Sequence, residues 1–277
     1  MRINSTTKIC IGIGDPIKQS IGPIIYNKAY EKLGIDDQFI YLSCRVSADD
    51  ITDFIKGART MGIRGITCTM PHKESVIPLL DKIEEGARKI GAVNTIVNDG
   101  GILTGYNTDW VGAVKPLRKA TNLKGKKAVV IGAGGAAKAF VYALVSEGCE
   151  VTIYNRTIEK AKVLAERFDC KYSSLDDQAG IKRADIVCNA TSVGFVGSEL
   201  KMVINPDNLH SEQIVFDAVY SPLETELLRQ AKSKGAKVIS GIEMYLNQGY
   251  EQVKLYTGYD APEEDMKNYV MEAINAK

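Results

Sequence analysis

Residues 129–139 read VVIGAGGAAKA, and this stretch decides the fold. A β-branched run ends in Gly132, and a small-residue helical pattern opens at Gly135. That order suits a dinucleotide: glycine at 132 permits the tight turn, glycine at 134 lets the backbone approach a pyrophosphate, and Ala137 allows close packing of helix on strand. Standing alone, such a pattern could be a structural turn. Between a strand and a helix it reads as a cofactor site. The next predicted strand ends in TIYNRT, residues 152–157. An NAD site usually places an acid there for the ribose 2′-hydroxyl, whereas Arg156 can pair bidentately with a 2′-phosphate. NADP is therefore expected. In the alternative, Arg156 is a solvated residue heading a helix and NAD also binds.

Working outward, strands are expected at Lys127–Gly132, Glu150–Asn155, Ala184–Ala190, Gln213–Val219 and Ala236–Ser240, with helices from Gly135 and over Thr157–Phe168. Upstream, strands fit Lys8–Ile13, Phe39–Cys44, Gly65–Cys68 and Ala92–Val97, and helices fit Pro23–Leu33, Asp49–Met61 and Asp109–Ala120. Strands alternating with helices imply α/β architecture. Two domains follow: an N-terminal α/β substrate domain with a mostly parallel sheet, and a Rossmann-type doubly wound NADP-binding domain. The expected boundaries are 1–105 for the substrate and catalytic domain and 106–240 for the NADP domain. Helices in 241–277 are expected to pack back on the substrate domain.

The 277 residues can bury cores without staples. Lys and Arg total 35 against 34 Asp and Glu, which leaves no electrostatic footprint for nucleic acid or an anionic membrane. The six cysteines form no C-x-x-C pair and are expected to be reduced core thiols, with no metal site. The start lacks an apolar signal core, so a cytoplasmic protein is expected, monomer or homodimer.

A hydride acceptor needs a proton-transfer group opposite it. Lys73 in CTMPHKE (68–74) and Asp109 in GYNTD (105–109) are the candidates. Each has an ordinary reading as well: a lysine is usually a solvated charge, and an acid at a helix start is favoured by the dipole.

Those strings do not stand alone. GDPIKQSIGPIIYN, CTMPHKE, GAVNTI, GYNTD, IGAGGAAKA, YNRT, NATSVG and GIEMYLNQG occur in one order over nearly the whole chain, and together they resemble the shikimate dehydrogenase family. The resemblance implies a cytoplasmic enzyme of aromatic amino acid biosynthesis that interconverts shikimate and 3-dehydroshikimate by hydride transfer with NADP. It implies Lys73 and Asp109 as the catalytic pair, and Thr69, Asn94 and Gln248 as contacts to a cyclic hydroxy acid. Ser20 would hold its carboxylate, with Tyr220 near the ring. Gly132, Gly134, Gly135, Ala137, Asn155, Arg156 and Thr157 fall on the cofactor site, with Thr191 close by.

Two positions depart from the family pattern. Its S-x-S-P is SIGP here, with Gly22 for the second serine, and its usual asparagine in N-V-T is Thr67, a substrate-binding position. Each lost contact is worth roughly 1–3 kcal/mol. Gly22→Ser is accordingly expected to tighten shikimate binding. Tyr26, His72 and Tyr220 are candidates to compensate, His72 being either a surface histidine or a pH-sensitive contact. Tyr245 stands where the family commonly has a leucine. Gly22 and Thr67 keep open a paralogue acting on quinate, an aminoshikimate or another hydroxylated cyclic acid. Another class of reading is a nicotinamide-nucleotide-binding protein without turnover.

Overall fold

A computed structural model describes residues 3–199 and 201–275. The chain divides into two compact units, one taking the chain up to Thr108 and again from Gly249, the other running Asp109–Gln248.

The first unit contains β1 (Lys8–Gly14), α1 (Gly22–Lys32), β2 (Phe39–Arg45), α2 (Ile51–Thr60), β3 (Gly65–Cys68), α3 (His72–Ser75), β4 (Lys82–Ile83), α4 (Glu85–Ile90), β5 (Thr95–Asp99) and β6 (Ile102–Tyr106). The strands lie in the order β2-β1-β3-β5-β6-β4. β1 pairs parallel with β2 and β3, while β5 runs antiparallel to both β3 and β6. One face buries Ile13, Ile66, Cys68 and Ile96 with Ile51, Ile55 and Ala58 of α2. The other carries Gly12 and Thr67, which are neighbours in the parallel register, and Thr95, which pairs with Thr67.

The second unit opens with α5 (Asp109–Ala120), β7 (Lys127–Ile131), α6 (Gly135–Ser146), β8 (Glu150–Asn155), α7 (Ile158–Phe168) and β9 (Lys171–Ser174). It continues with β10 (Ile186–Asn189), β11 (Ile214–Asp217), α8 (Glu226–Ser233) and β12 (Lys237–Ile239). Its six strands are all parallel, in the order β12-β11-β10-β7-β8-β9. This is the doubly wound arrangement, in which the strand order reverses between β7 and β10 and ligands bind beyond the carboxyl ends. Both faces are apolar, as a sheet covered on both sides requires. Ala128 and Val130 join one core, Val129 and Ile131 the other.

α9 (Gly241–Thr257) crosses from the second unit into the first at Gln248/Gly249, and α10 (Glu263–Asn275) packs on α1. Ion pairs Lys28–Glu272 and Lys32–Asp265, 2.9 and 3.0 Å, accompany that packing.

Several expected elements shift. The strand expected at Ala92–Val97 begins at Thr95: ahead of it the Val93 amide leaves the sheet for Lys73 O, while the Asn94 amide makes one last bond to Tyr106 O at the end of β6. β6 was not expected as a strand. It forms because Gly100 and Gly101, at φ 62° and 94°, close a hairpin after β5. β4, β9, α3 and α4 also lay outside the sequence reading, being six residues long or shorter.

Candidate active site

In the first unit, β1, β3 and β6 end at the edge of the sheet where the antiparallel β5 begins. The loops on that edge carry Ser20 after β1, Thr69 and Lys73 after β3, Asn94 before β5, and Asn107 and Thr108 after β6. Asp109 follows one peptide bond later. Topology thus gathers six residues that are up to 88 positions apart in sequence (20 to 108).

Backbone bonds hold the segment before Lys73. Thr69 N–H donates to Ile13 O at 3.0 Å, Asp15 N–H to Met70 O at 3.0 Å and His72 N–H to Thr69 O at 2.8 Å. Lys73 is half-buried, and its carbonyl accepts from Val93 N–H at 2.7 Å. His72 is not at the surface: it is fully buried, and its Nε2 makes a 2.8 Å hydrogen bond with Val46 O. The polar neighbours in its string suggested exposure, but the ring packs under the loop that follows β2. His72 is thereby a scaffold residue of this loop.

Asn94 is buried and its amide is directed at the chain before Asp109. Its Oδ1 accepts from Thr108 N–H at 2.7 Å and from the Thr95 hydroxyl at 2.9 Å, and its Nδ2 donates to Thr108 Oγ1 at 2.9 Å. Asp109 itself is buried at the first turn of α5. The family resemblance implies Asn94 as a contact to a substrate hydroxyl; its grip on Thr108 is a further role.

Ser20 is exposed, and its Oγ accepts from Gly22 N–H at 3.2 Å. Gly22 is buried, and a Cβ there would sit 3.1 Å from the Tyr41 ring and 3.2 Å from Ser20 Oγ. Tyr41 has little freedom to give way, since it stacks on Tyr26 with ring centroids 4.3 Å apart and its hydroxyl would lie 2.8 Å from a Cβ at Gly12. The expectation that serine at 22 tightens binding therefore meets a physical obstacle: the room is taken by a tyrosine ring. Tyr26 spends its hydroxyl on Gln252 Oε1. Thr67 Oγ1 likewise meets Gln252 Oε1 at 3.2 Å and the Tyr256 hydroxyl at 2.9 Å.

In the second unit, Gly132 has φ +116°, a region that favours glycine. A Cβ there would lie 3.1 Å from Ala190 O and 3.2 Å from Thr191 Cγ2. The turns after β7 and β10 therefore touch at the point where the strand order reverses. Gly134 shows the converse, with no atom within 4 Å of a Cβ built on it. Beside that open space α6 begins at Gly135 with no side-chain cap, and Ala137 and Ala139 are buried against the sheet. Uncapped amides at a helix start above a glycine turn fit a pyrophosphate. At the end of β8, Asn155 Nδ2 donates to Thr157 O at 2.8 Å, and Arg156 is exposed in that turn. The donor set fits a 2′-phosphorylated dinucleotide.

Thr191 is held by Asn189, whose Oδ1 accepts from its amide at 3.1 Å and its hydroxyl at 2.7 Å. Asn189 Nδ2 donates in turn to Asp217 Oδ1 at 2.9 Å. Asp217 is buried and also accepts from Thr225 Oγ1 at 2.6 Å and Val219 N–H at 3.0 Å, yet burial outweighs these bonds and pushes its pKa up to about 6. Tyr220, three residues on, is partly exposed with its ring 5.4 Å from that of Tyr245. Gln248 Nε2 donates to Tyr245 O at 2.9 Å. The sequence reading passed over Asp217, Asn189 and Gln252. Asn189 opens NATSVG and Gln252 stands just beyond GIEMYLNQG, while Asp217 lies in an expected strand, and only three-dimensional partners distinguish the three from ordinary polar residues.

Among the described residues no group of His, Cys, Asp and Glu could hold a metal ion, and no helix is long and apolar enough to cross a membrane.

Comparison with known proteins adds to this geometry. Residues 13–96 match the family model for the shikimate dehydrogenase substrate binding domain, and residues 116–223 match the model for shikimate / quinate 5-dehydrogenase. The NADP(+) shikimate dehydrogenase of Caldanaerobacter subterraneus is 39% identical over the full length of both chains. A crystal structure of a shikimate dehydrogenase in complex with NADP+ superposes with a TM-score of 0.92 at 36% identity, covering 98% of this chain and 97% of that one. The Listeria monocytogenes shikimate 5-dehydrogenase in complex with shikimate and NAD gives 0.91 at 33% identity, with 98% of each chain covered.

Proposed function

The chain belongs to the shikimate dehydrogenase family, and from that premise we propose that it interconverts shikimate and 3-dehydroshikimate with NADP, using Lys73 and Asp109 to handle the hydroxyl proton. Alcohol oxidation releases a hydride from carbon and a proton from oxygen. When bound, NADP supplies the hydride acceptor. The uncapped start of α6, the Gly132–Gly135 turn and Arg156 would hold its phosphates.

The chain's own groups do the rest. Lys73 and Asp109 together bridge the reacting hydroxyl: the ammonium stabilises charge that develops on the oxygen, and the pair carries the proton away, with Lys73 as the proton carrier. Ser20 receives the substrate carboxylate, and Thr69, Asn94 and Gln248 orient the ring hydroxyls, with Tyr220 flanking the ring. The observation that supports this reading is the gathering of Lys73, Asn94, Asn107 and Thr108 on one edge of one sheet, in the segment that leads directly into Asp109.

The test follows reduced-nicotinamide absorbance with purified protein, NADP and shikimate, alongside quinate. Turnover of shikimate is expected, and Lys73→Ala should lower kcat by about 10²- to 10⁴-fold. Wild-type turnover of quinate alone would move the substrate assignment. An active Lys73→Ala would remove the lysine from the proton step.

A further inference from the structure

We propose that Gln252 is a positioning residue that fixes the segment carrying Asp109 through a hydrogen-bond chain running by way of Thr95 and Asn94. The inference rests on the assignment of Asp109 above and deepens it.

Gln252 lies on α9 and is fully buried. Its Oε1 accepts from the hydroxyls of Tyr26 and Thr67, and its Nε2 donates to Thr95 Oγ1 at 2.8 Å. Thr95 passes its own proton to Asn94 Oδ1 at 2.9 Å. Asn94 then holds Thr108 twice, Oδ1 taking the backbone N–H at 2.7 Å and Nδ2 donating to the hydroxyl at 2.9 Å. The side-chain donations run one way: Tyr26 and Thr67 give to Gln252, Gln252 to Thr95, Thr95 to Asn94, and Asn94 Nδ2 to the Thr108 hydroxyl, while the Thr108 N–H gives back to Asn94 Oδ1. The Thr108 N–H, which can only donate, and the Thr95 hydroxyl together orient the Asn94 amide, and Gln252 on α9 acts by committing the Thr95 hydroxyl to donate to Asn94, steadying the grip on the peptide from which Asp109 emerges.

A glutamine is a costly choice for mere filling. A buried amide left short of a partner costs roughly 1–3 kcal/mol, and methionine would occupy similar volume with no polar demand. What the glutamine adds is direction, which a network of this kind supplies only when all its members are satisfied. β-Sheet register prepares the seat: Thr67 and Thr95 are cross-strand partners on β3 and β5, so their hydroxyls stand side by side for one amide to bridge. The departure at Thr67 acquires a reason here. A hydroxyl at that position reaches Gln252, which itself brings an amide to the strand.

The experiment compares wild type, Gln252→Met, Thr95→Val and the double variant. Thr95→Val breaks the chain one link later in a different element, so it reads the proposal even if Gln252→Met fails to fold. A misplaced catalytic group is expected to lower shikimate kcat about tenfold in each single variant while KM for shikimate stays within about twofold. The double variant should be no slower than the slower single, since both cut one chain. Amide exchange at Thr108 in the free protein should quicken by about tenfold, matching the loosened peptide. Folded variants with wild-type kcat, losses that multiply in the double variant, or unchanged Thr108 exchange would each overturn the proposal. The exchange measurement needs no turnover. Absence of shikimate turnover in the wild type would thus strike the assignment of Asp109 and leave the Gln252–Thr108 link to be read directly.

Discussion

Asp217 is a buried carboxyl whose cost can be worked out and measured. It has three donors, from Thr225, Asn189 and Val219, and still its pKa rises from the ordinary 3.8 to about 6 because burial outweighs them. A displacement of that size corresponds to roughly 3 kcal/mol. The folded state binds this proton more tightly than the unfolded chain does. The stability it contributes is therefore fully present below pH 3.8 and is lost as pH rises through about 6. Integrating the two titrations, about 1 kcal/mol is gone by about pH 4.5 and about 3 kcal/mol by about pH 7.

Asp217→Asn removes the titration and keeps the shape, with Oδ1 able to serve Asn189 and Val219 and Nδ2 able to donate to Thr225. Urea unfolding of both proteins across this range isolates the group, because all other titrations cancel in the difference. The stability of wild type relative to Asp217→Asn should fall by about 2 kcal/mol from about pH 4.5 to about pH 7 and level off above that. A difference that is flat, or that grows with pH, would show that the three donors hold the carboxylate down and that hydrogen bonding prevails over desolvation. The stake is functional as well as structural, since Asp217 holds Asn189 and Asn189 holds Thr191 beside the Gly132 turn.

Gly132→Ala should weaken NADPH binding by about tenfold or more in a fluorescence titration: φ +116° strains a side chain by about 1–3 kcal/mol, and the Cβ meets Ala190 O at 3.1 Å. Arg156→Ala should raise KM for NADP about tenfold, the worth of one charge-assisted contact, while rates with NAD stay put; equal effects on both cofactors would remove Arg156 from the 2′-phosphate. Gly22→Ser should lower stability by about 1–3 kcal/mol through overpacking on Tyr41 without improving KM for shikimate. Tighter KM at an unchanged unfolding midpoint would show that the ring yields.

What could be read in the sequence was whatever local chemistry dictates. Gly132, Gly134 and Ala137 announce their turn because only small residues suit it, and the parallel strands announce themselves by continuous apolar runs such as Lys127–Ile131. Lys73 and Asp109 were legible as candidates, each with an ordinary alternative, and Asn94 through the family resemblance, but only the antiparallel return of β5 and β6 puts Lys73, Asn94 and the chain leading to Asp109 on one edge. That return was hidden because β6 is five residues long and reads as the tail of a turn. His72 misled for a related reason. Beside a lysine and a glutamate it looks solvated, whereas its partner, Val46 O, is 26 positions away.

Gly22 and Thr67 show the same limit from the other side. Counted against a pattern they are two lost polar contacts. In the fold they belong to an aromatic layer on one face of the first sheet, where small residues underlie large rings: Gly12 and Gly22 lie against Tyr41, and Gly65 lies against Tyr256. Tyr26 stacks on Tyr41, and Thr67 shares its hydroxyl with Tyr256 and Gln252. Close packing makes such positions interdependent, so a serine returned to position 22 must displace a ring that Tyr26 and Gly12 hold in place. Restoring one contact from the pattern then brings no gain by itself. If this is right, Gly22→Ser should become tolerable only when Tyr41 is also made smaller: Gly22→Ser/Tyr41→Phe should recover little, because the ring edge remains, whereas Gly22→Ser/Tyr41→Leu should unfold at a higher midpoint than the two single losses predict when added. A strictly additive loss would mean that Gly22 and Tyr41 are neighbours without being coupled.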